Sequence, residues 1–145
     1  MEKEKEPREY AFTAWGHPNI RATHPTTLMF TKDPECTAKG DCIVGVRADF
    51  DVGKVKEFLR GVVKPIGLRM RIAEKGKEQV EELVALINPD FNDGQEMVVR
   101  KSDFKGHRTL AIRATKASLQ LSRKLVSSIK KNDVKMVITL FLFQE

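Results

Sequence analysis

The chain has 145 residues, 41% of them hydrophobic and 32% charged, with a formal charge of +6 and a pI near 9.4. A chain of this length buries a core without disulfide or metal staples, and two cysteines are too few for a secreted disulfide scaffold. The longest apolar run, Met136 to Phe143 interrupted by Thr139, is far short of a bilayer-spanning helix, and no apolar segment follows a basic start, so a cytoplasmic protein with Cys36 and Cys42 as reduced thiols is expected.

Met1 to Arg8, MEKEKEPR, reads as a flexible tail before a single domain at 9–145. Tyr10, Phe12 and Ala14 alternate with polar or small residues in a strand closed by Gly16-His17-Pro18. Leu28 to Asp33 forms a second strand and Cys42 to Asp49, rich in β-branched residues, a third. Asp49 or Asp51 then caps a helix with Val52, Val55, Leu59, Val62 and Val63 on one face, and Pro65-Ile66-Gly67 ends it. Leu68, Met70 and Ile72 return as a strand. Glu78 to Ile87 has a spacing that suits a helix or a strand; a strand is preferred because the repeat described next sets Leu83 and Ala85 over Phe12 and Ala14. Further on, Thr115 takes the cap position of a second helix carrying Leu121, Leu125 and Ile129. Asn132-Asp133 turns, and Val134 to Phe143 closes as a strand. That last strand is apolar on both faces, which implies burial on both sides or a homo-oligomer contact.

Sliding the chain by 66 positions sets Gly40 to Asp49 over Gly106 to Thr115, and the register holds through Leu59 over Leu125, Met70 over Met136 and Ile72 over Ile138. Seven of the 33 positions from Gly40 to Ile72 are identical, where ordinary residue frequencies give roughly two. Upstream, Leu28 to Asp33 aligns with Met97 to Ser102, and Pro18 with Pro89. The expected fold is therefore α+β, an internal duplication of a β-β-β-α-β unit with pseudo-twofold symmetry. It would have a mixed sheet or barrel and two main helices, with repeat 1 at about 9–75 and repeat 2 at about 78–143.

Chemistry concentrates in two places. The first loop, Gly16 to Thr27, holds His17, His24 and Thr26 between two His-Pro pairs that stiffen it. Asp41 lies beside Cys42, and His17 or His24 with Asp41 form the candidate proton-transfer set. The second place is basic. Met97 to Lys135 carries eleven Lys or Arg against Asp103 and Asp133, a balance of +9, while the remainder, with 15 basic and 18 acidic residues, is slightly negative. Lys32 and Lys101 occupy equivalent repeat positions, as do Arg47 and Arg113. Thr26 and Lys32 with Arg100, Lys101, Ser102 and Arg108 are the candidate anion ligands, because guanidinium, ammonium and hydroxyl groups are what phosphate or carboxylate recognition uses.

No phosphate-loop, dinucleotide, zincin or nucleophile-elbow motif occurs, so no metal and no cofactor are expected and enzymatic turnover stays open. The leading function is binding of a phosphorylated or otherwise anionic small molecule between the repeats. The alternative is an RNA- or ribosome-associated protein using the basic face. Only Phe104 interleaves that segment, which leaves electrostatic RNA contact but no stacking platform for a strand of bases.

Several strings lie together in one order: Gly16-His17-Pro18-Asn19, Ala22-Thr23-His24-Pro25-Thr26-Thr27, Thr31-Lys32, Gly40 to Val46, Val99 to Phe104 and Arg108 to Ala114. With them the chain resembles the small archaeal family catalogued as domain of unknown function 371. The resemblance covers nearly the whole chain and departs from the expected pattern at Pro89 to Gln95. It implies an archaeal cytosolic origin, no established activity and no catalytic residues.

Overall fold

Phe12 and Ala14 stand two apart in an extended segment and so point to one side of it; both are buried. The same alternation buries Leu68, Met70 and Ile72, then Leu83 and Ala85, then Met136, Ile138 and Leu140. The computed structural model describes residues 9–143, and the expected tail, Met1 to Arg8, lies outside them. In chain order the elements are β1 (Glu9–Trp15), β2 (Thr27–Thr31), β3 (Ile43–Gly45), α1 (Val52–Leu59), β4 (Ile66–Glu74) and β5 (Lys77–Ile87). They continue with β6 (Glu96–Arg100), β7 (Thr109–Ile112), a 3-10 turn (Ser118–Gln120), α2 (Arg123–Ser128) and β8 (Lys135–Leu142). This is a mixed-sheet α+β fold with two helices.

The eight strands run in the order β1-β8-β4-β5-β7-β6-β2-β3. Pairing is antiparallel except for β2 with β3 and β6 with β7. The two ends of that order meet: Trp15 donates its N–H to the Val46 carbonyl at 2.8 Å and accepts from the Val46 N–H at 2.9 Å. The bridge joins β1 to the end of β3 and closes the sheet into a barrel, which leaves few unpaired strand edges. Inside, the Phe12 ring meets Phe30 and Phe50 edge-on at 5.5 and 5.6 Å.

Glu78 to Ile87 falls within a strand, with Leu83 and Ala85 facing the core. β3 is shorter than expected. Arg47 takes φ 52°, a left-handed conformation that bends the chain out of the ladder after Gly45, and Arg113 does the same at φ 51° after β7. The first helix stops at Leu59 because Gly61, at φ +76°, turns the chain; Val63 is consequently 90% exposed rather than part of an apolar stripe. Asp51 caps that helix, accepting from the Lys54 N–H at 2.9 Å. Asp49 instead accepts from the backbone and hydroxyl of Thr13, both at 2.7 Å.

Thr115 likewise caps no helix, since its hydroxyl accepts from the Val84 N–H at 3.0 Å and ties the segment to β5. The cap of α2 is Ser122, whose hydroxyl accepts from the Leu125 N–H. Ser122→Ala is expected to cost about 1 kcal/mol, the usual value of a helix cap, read as a lower midpoint in urea unfolding.

In β8, Met136, Ile138 and Leu140 are fully buried, while Val137, at 37% exposure, faces outward. On that outer side the Phe141 ring lies over Gly67 and under the Arg69 guanidinium, 4.7 Å from the ring centroid. Among the described residues no helix is long and apolar enough to cross a membrane.

Candidate functional site

The pairing of β2 with β6 organises the polar groups. Leu28 and Phe30 of β2, and Met97 and Val99 of β6, enter the core, so Thr27, Met29 and Thr31 share the outer face with Glu96, Val98 and Arg100. Thr27 stands directly opposite Arg100, and Thr31 opposite Glu96. Because the pair is antiparallel, Lys32 and Lys101 continue it in opposite directions. Lys32 follows Thr31 and bonds Gln95, whereas Lys101 bonds Thr26, six strand positions away. At about 3.3 Å per residue that is roughly 20 Å, so these two lysines do not gather round one ligand.

At the Thr27 end the chain brings together His24, Thr26, Asp41, Arg100 and Lys101, while Arg108, paired with Glu96 opposite Thr31, is near enough for its charge to act on Arg100. The Asp41 carbonyl accepts from the Thr23 and His24 N–H groups at 2.9 and 3.2 Å, and the Thr26 carbonyl from the Lys101 N–H at 2.9 Å. His24 Nδ1 accepts from the Thr26 and Thr27 N–H groups at 3.2 and 3.1 Å. Its proton therefore sits on Nε2, which is left to donate. Ser102 lies on the rim, its hydroxyl accepting from the Phe104 N–H at 3.4 Å.

His17 lies elsewhere. Buried at 6% exposure, it accepts at Nδ1 from the Asn19 N–H at 3.0 Å and contacts Glu35 through Nε2 at 2.9 Å. Its ring holds a turn rather than facing Arg100. Arg47 and Arg113 are also engaged. Arg47 donates to the Asn132 carbonyl at 2.9 Å and lies over the Trp15 ring, and Arg113 pairs with Asp103.

Arg100 is the distinctive group. It is half-buried, its Nε donates to the Thr109 hydroxyl at 2.9 Å, and its guanidinium lies over the Phe104 ring, 4.8 Å from the centroid. Among the described residues the other half-buried arginines have carboxylate partners, Arg69 with Glu82 and Arg108 with Glu96, both at 2.6 Å. Arg100 has none. Burial, and then the like charge of Arg108, hold its guanidinium below the usual arginine pKa.

Both thiols are poor nucleophiles. Burial and the Asp41 carboxylate raise the Cys42 pKa, and burial and Glu35 raise that of Cys36. No group of three or more His, Cys, Asp or Glu converges as metal ligands among the described residues.

Two residues outside the candidate set shape this end. Thr109, fully buried on the outer face, orients Arg100. Asn88, also fully buried, donates through Nδ2 to the Thr109 and Gly106 carbonyls at 2.8 and 3.0 Å and accepts at Oδ1 from the Asp90 N–H. It pins both ends of the loop that follows Gly106. The signal was an Asn-Pro-Asp sequence where the first loop has His-Pro-Asn.

The family described as domain of unknown function 371 matches residues 12–142. The chain belongs to the DUF371 family. An uncharacterised protein of Methanocaldococcus jannaschii is 34% identical over 133 residues, covering 85% of this chain and 92% of the relative. The Pro89 to Gln95 segment, where this DUF371 chain departs from the expected second copy of the Gly-His-Pro loop, keeps that loop's turn. Phe91 N–H bonds the Asn88 carbonyl as Ile20 N–H bonds that of His17, both at 3.1 Å.

Asp93 of this DUF371 chain accepts at Oδ1 from the Gln95 and Glu96 N–H groups at 2.9 and 2.7 Å, and His107 sits 3.2 Å from Oδ2. Burial alone raises its pKa, but those N–H groups, His107 and Arg108 outweigh it and lower the carboxyl.

Proposed function

We propose that this protein is a single domain of two duplicated β-β-β-α-β halves, which bind an anionic small molecule, phosphorylated or carboxylated, against Arg100 where the halves meet. Several paired features support the duplication. β1 pairs with β8 as β5 pairs with β4, and β2 with β3 as β6 with β7, the last two sharing a register shift. The positive φ of Arg47 recurs at Arg113, and the bond from Arg47 N–H to the Asp33 carbonyl recurs from Arg113 to Ser102. The turn accepted by His17 Nδ1 recurs at Asn88 Oδ1.

On this reading a pseudo-twofold axis crosses the β2–β6 pair at Met29 and Val98. The two ends of the pair are then equivalent in backbone and different in chemistry. One presents Arg100, and the other presents Thr31 in its place.

The observation that carries the binding reading is the half-buried Arg100 without a carboxylate beside a second arginine. Such a charge is costly to hold in the free protein, and an anion relieves the cost. Thr27 lies opposite it, Lys101 and His24 Nε2 stand at the same end, the Arg108 charge reaches it from beside Glu96, and Thr26, Asp41 and Ser102 complete the rim. His17 and Lys32 have no part in this site. A reaction needs more than this arrangement supplies, so binding is the function proposed.

Titration with inorganic phosphate, pyrophosphate and small carboxylates tests the reading. A bound anion raises the melting temperature, by an amount equivalent to about 2.7 kcal/mol at a concentration a hundred times its Kd. Arg100→Met removes the charge and keeps most of the side-chain volume. That variant is expected to melt within a few degrees of the parent and to lose the ligand-induced shift. An unchanged shift in the variant refutes the site.

A further inference from the structure

Phe104 is 61% exposed on the rim of the Arg100 site. One face of its ring carries the Arg100 guanidinium, 4.8 Å from the centroid. Its edge is held close to Gly106, where an added Cβ would come within 3.1 Å of Cε2. The ring is thus fixed by an arginine, a glycine and the bond from its own N–H to the Ser102 hydroxyl, while most of its surface faces solvent. Exposed phenylalanines are commonly surface accidents, but this one is stacked on the very cation that lacks a carboxylate.

A ligand that satisfies both features carries an anionic group for Arg100 and a flat π-surface for the ring. We propose that the ligand is a nucleotide, its phosphate bound by Arg100 with Lys101 and Arg108 and its base stacked on Phe104. This rests on the anion reading above and narrows it to one chemical class. The ligand is a single nucleotide rather than a strand, because Phe104 is the only aromatic between Met97 and Lys135 and a strand needs successive rings along its path.

Two open grooves elsewhere fit such a ligand less well. One of about 400 Å³ is lined by Tyr10, Lys54, Glu57 and Arg60, and one of about 470 Å³ lies beside Lys75, Glu78 and Lys124. Their cations are exposed, and carboxylates stand beside them.

Calorimetric titration of the full chain with inorganic phosphate, ribose 5-phosphate, the common nucleoside monophosphates and a single-stranded RNA 12-mer tests the proposal. Nucleoside monophosphates are expected to bind at least tenfold more tightly than ribose 5-phosphate, the scale of one stacked base. Phe104→Ala should abolish that difference, and Phe104→Trp should restore it. Arg100→Met should abolish binding of every phosphate. Equal affinity for ribose 5-phosphate and the nucleotides overturns the nucleotide assignment and leaves the anion site standing. No binding of any anion removes both. RNA that binds many-fold more tightly than the mononucleotide, with affinity falling steeply in salt, overturns the single-nucleotide reading in favour of a strand.

Discussion

Gly16→Ala is expected to lower the melting temperature by roughly 10 °C, a loss of about 3 kcal/mol at the upper end of what overpacking a core site costs. Gly16 follows β1 and lies against the segment that leaves α2. A Cβ there would lie 2.4 Å from the carbonyl oxygens of both Ile129 and Lys131. These are backbone atoms, so no side chain can swing away to make room. The Gly16 N–H meanwhile bonds the Val134 carbonyl at 2.9 Å, and that of His17 bonds Ile129 at 2.9 Å, so the segment cannot retreat without breaking both. Gly94→Ala is the control, because its Cβ would meet only Val52 at an ordinary 3.8 Å. Thermal unfolding of the two variants in parallel checks the claim. Equal melting temperatures would mean that β1 and α2 do not dock this way.

The features legible in the sequence are those that local periodicity carries. Alternation placed Phe12, Ala14, Leu83 and Ala85 in the core, and the alignment of Leu83 with Phe12 chose strand over helix at Glu78 to Ile87, where spacing alone was ambiguous. What escaped depends on groups distant in sequence or on one dihedral angle. The barrel closes through backbone atoms of Trp15 and Val46, which have no side-chain signature. Val62 and Val63 continue a helical stripe on paper, yet the left-handed Gly61 has already turned the chain. Asp49 and Thr115 look like helix caps because they precede helical segments, but each ties its loop to a neighbouring strand. Arg100, Lys101 and Arg108 were identifiable as a basic set. That Lys32 lies away from Arg100 and Lys101 follows from antiparallel pairing, which sends equivalent positions to opposite ends. The only signal for Asn88 was its place before a proline, which reads as a turn, and the fold alone shows its amide between two carbonyls.

Asn88→Asp is expected to cost about 3 to 5 kcal/mol at pH 7, the range for a buried charge left without a partner. The Asn88 amide donates to two carbonyl oxygens at 2.8 and 3.0 Å in a fully buried site. A carboxylate of the same shape puts an oxygen where those donors stood, facing two acceptors. Protonation restores one donor, so the folded variant holds its proton more tightly than the unfolded chain, whose aspartate has a pKa of about 3.9. Below that value both states are protonated and the charge penalty is absent. As pH rises through 3.9 the unfolded state releases its proton first, the folded state carries the excess, and stability falls until the raised folded pKa is passed. Urea unfolding at pH 4 and pH 7 should therefore show the gap between variant and parent widening with pH. A gap that is constant or narrows would mean that the Asn88 amide nitrogen does not bond these two carbonyls. The same carbonyls frame the segment carrying Arg108, and Gly106 lies close to the Phe104 ring. The variant is accordingly expected to lose anion binding more steeply as pH rises than its residual folded fraction explains, whereas Arg100→Met loses it at every pH.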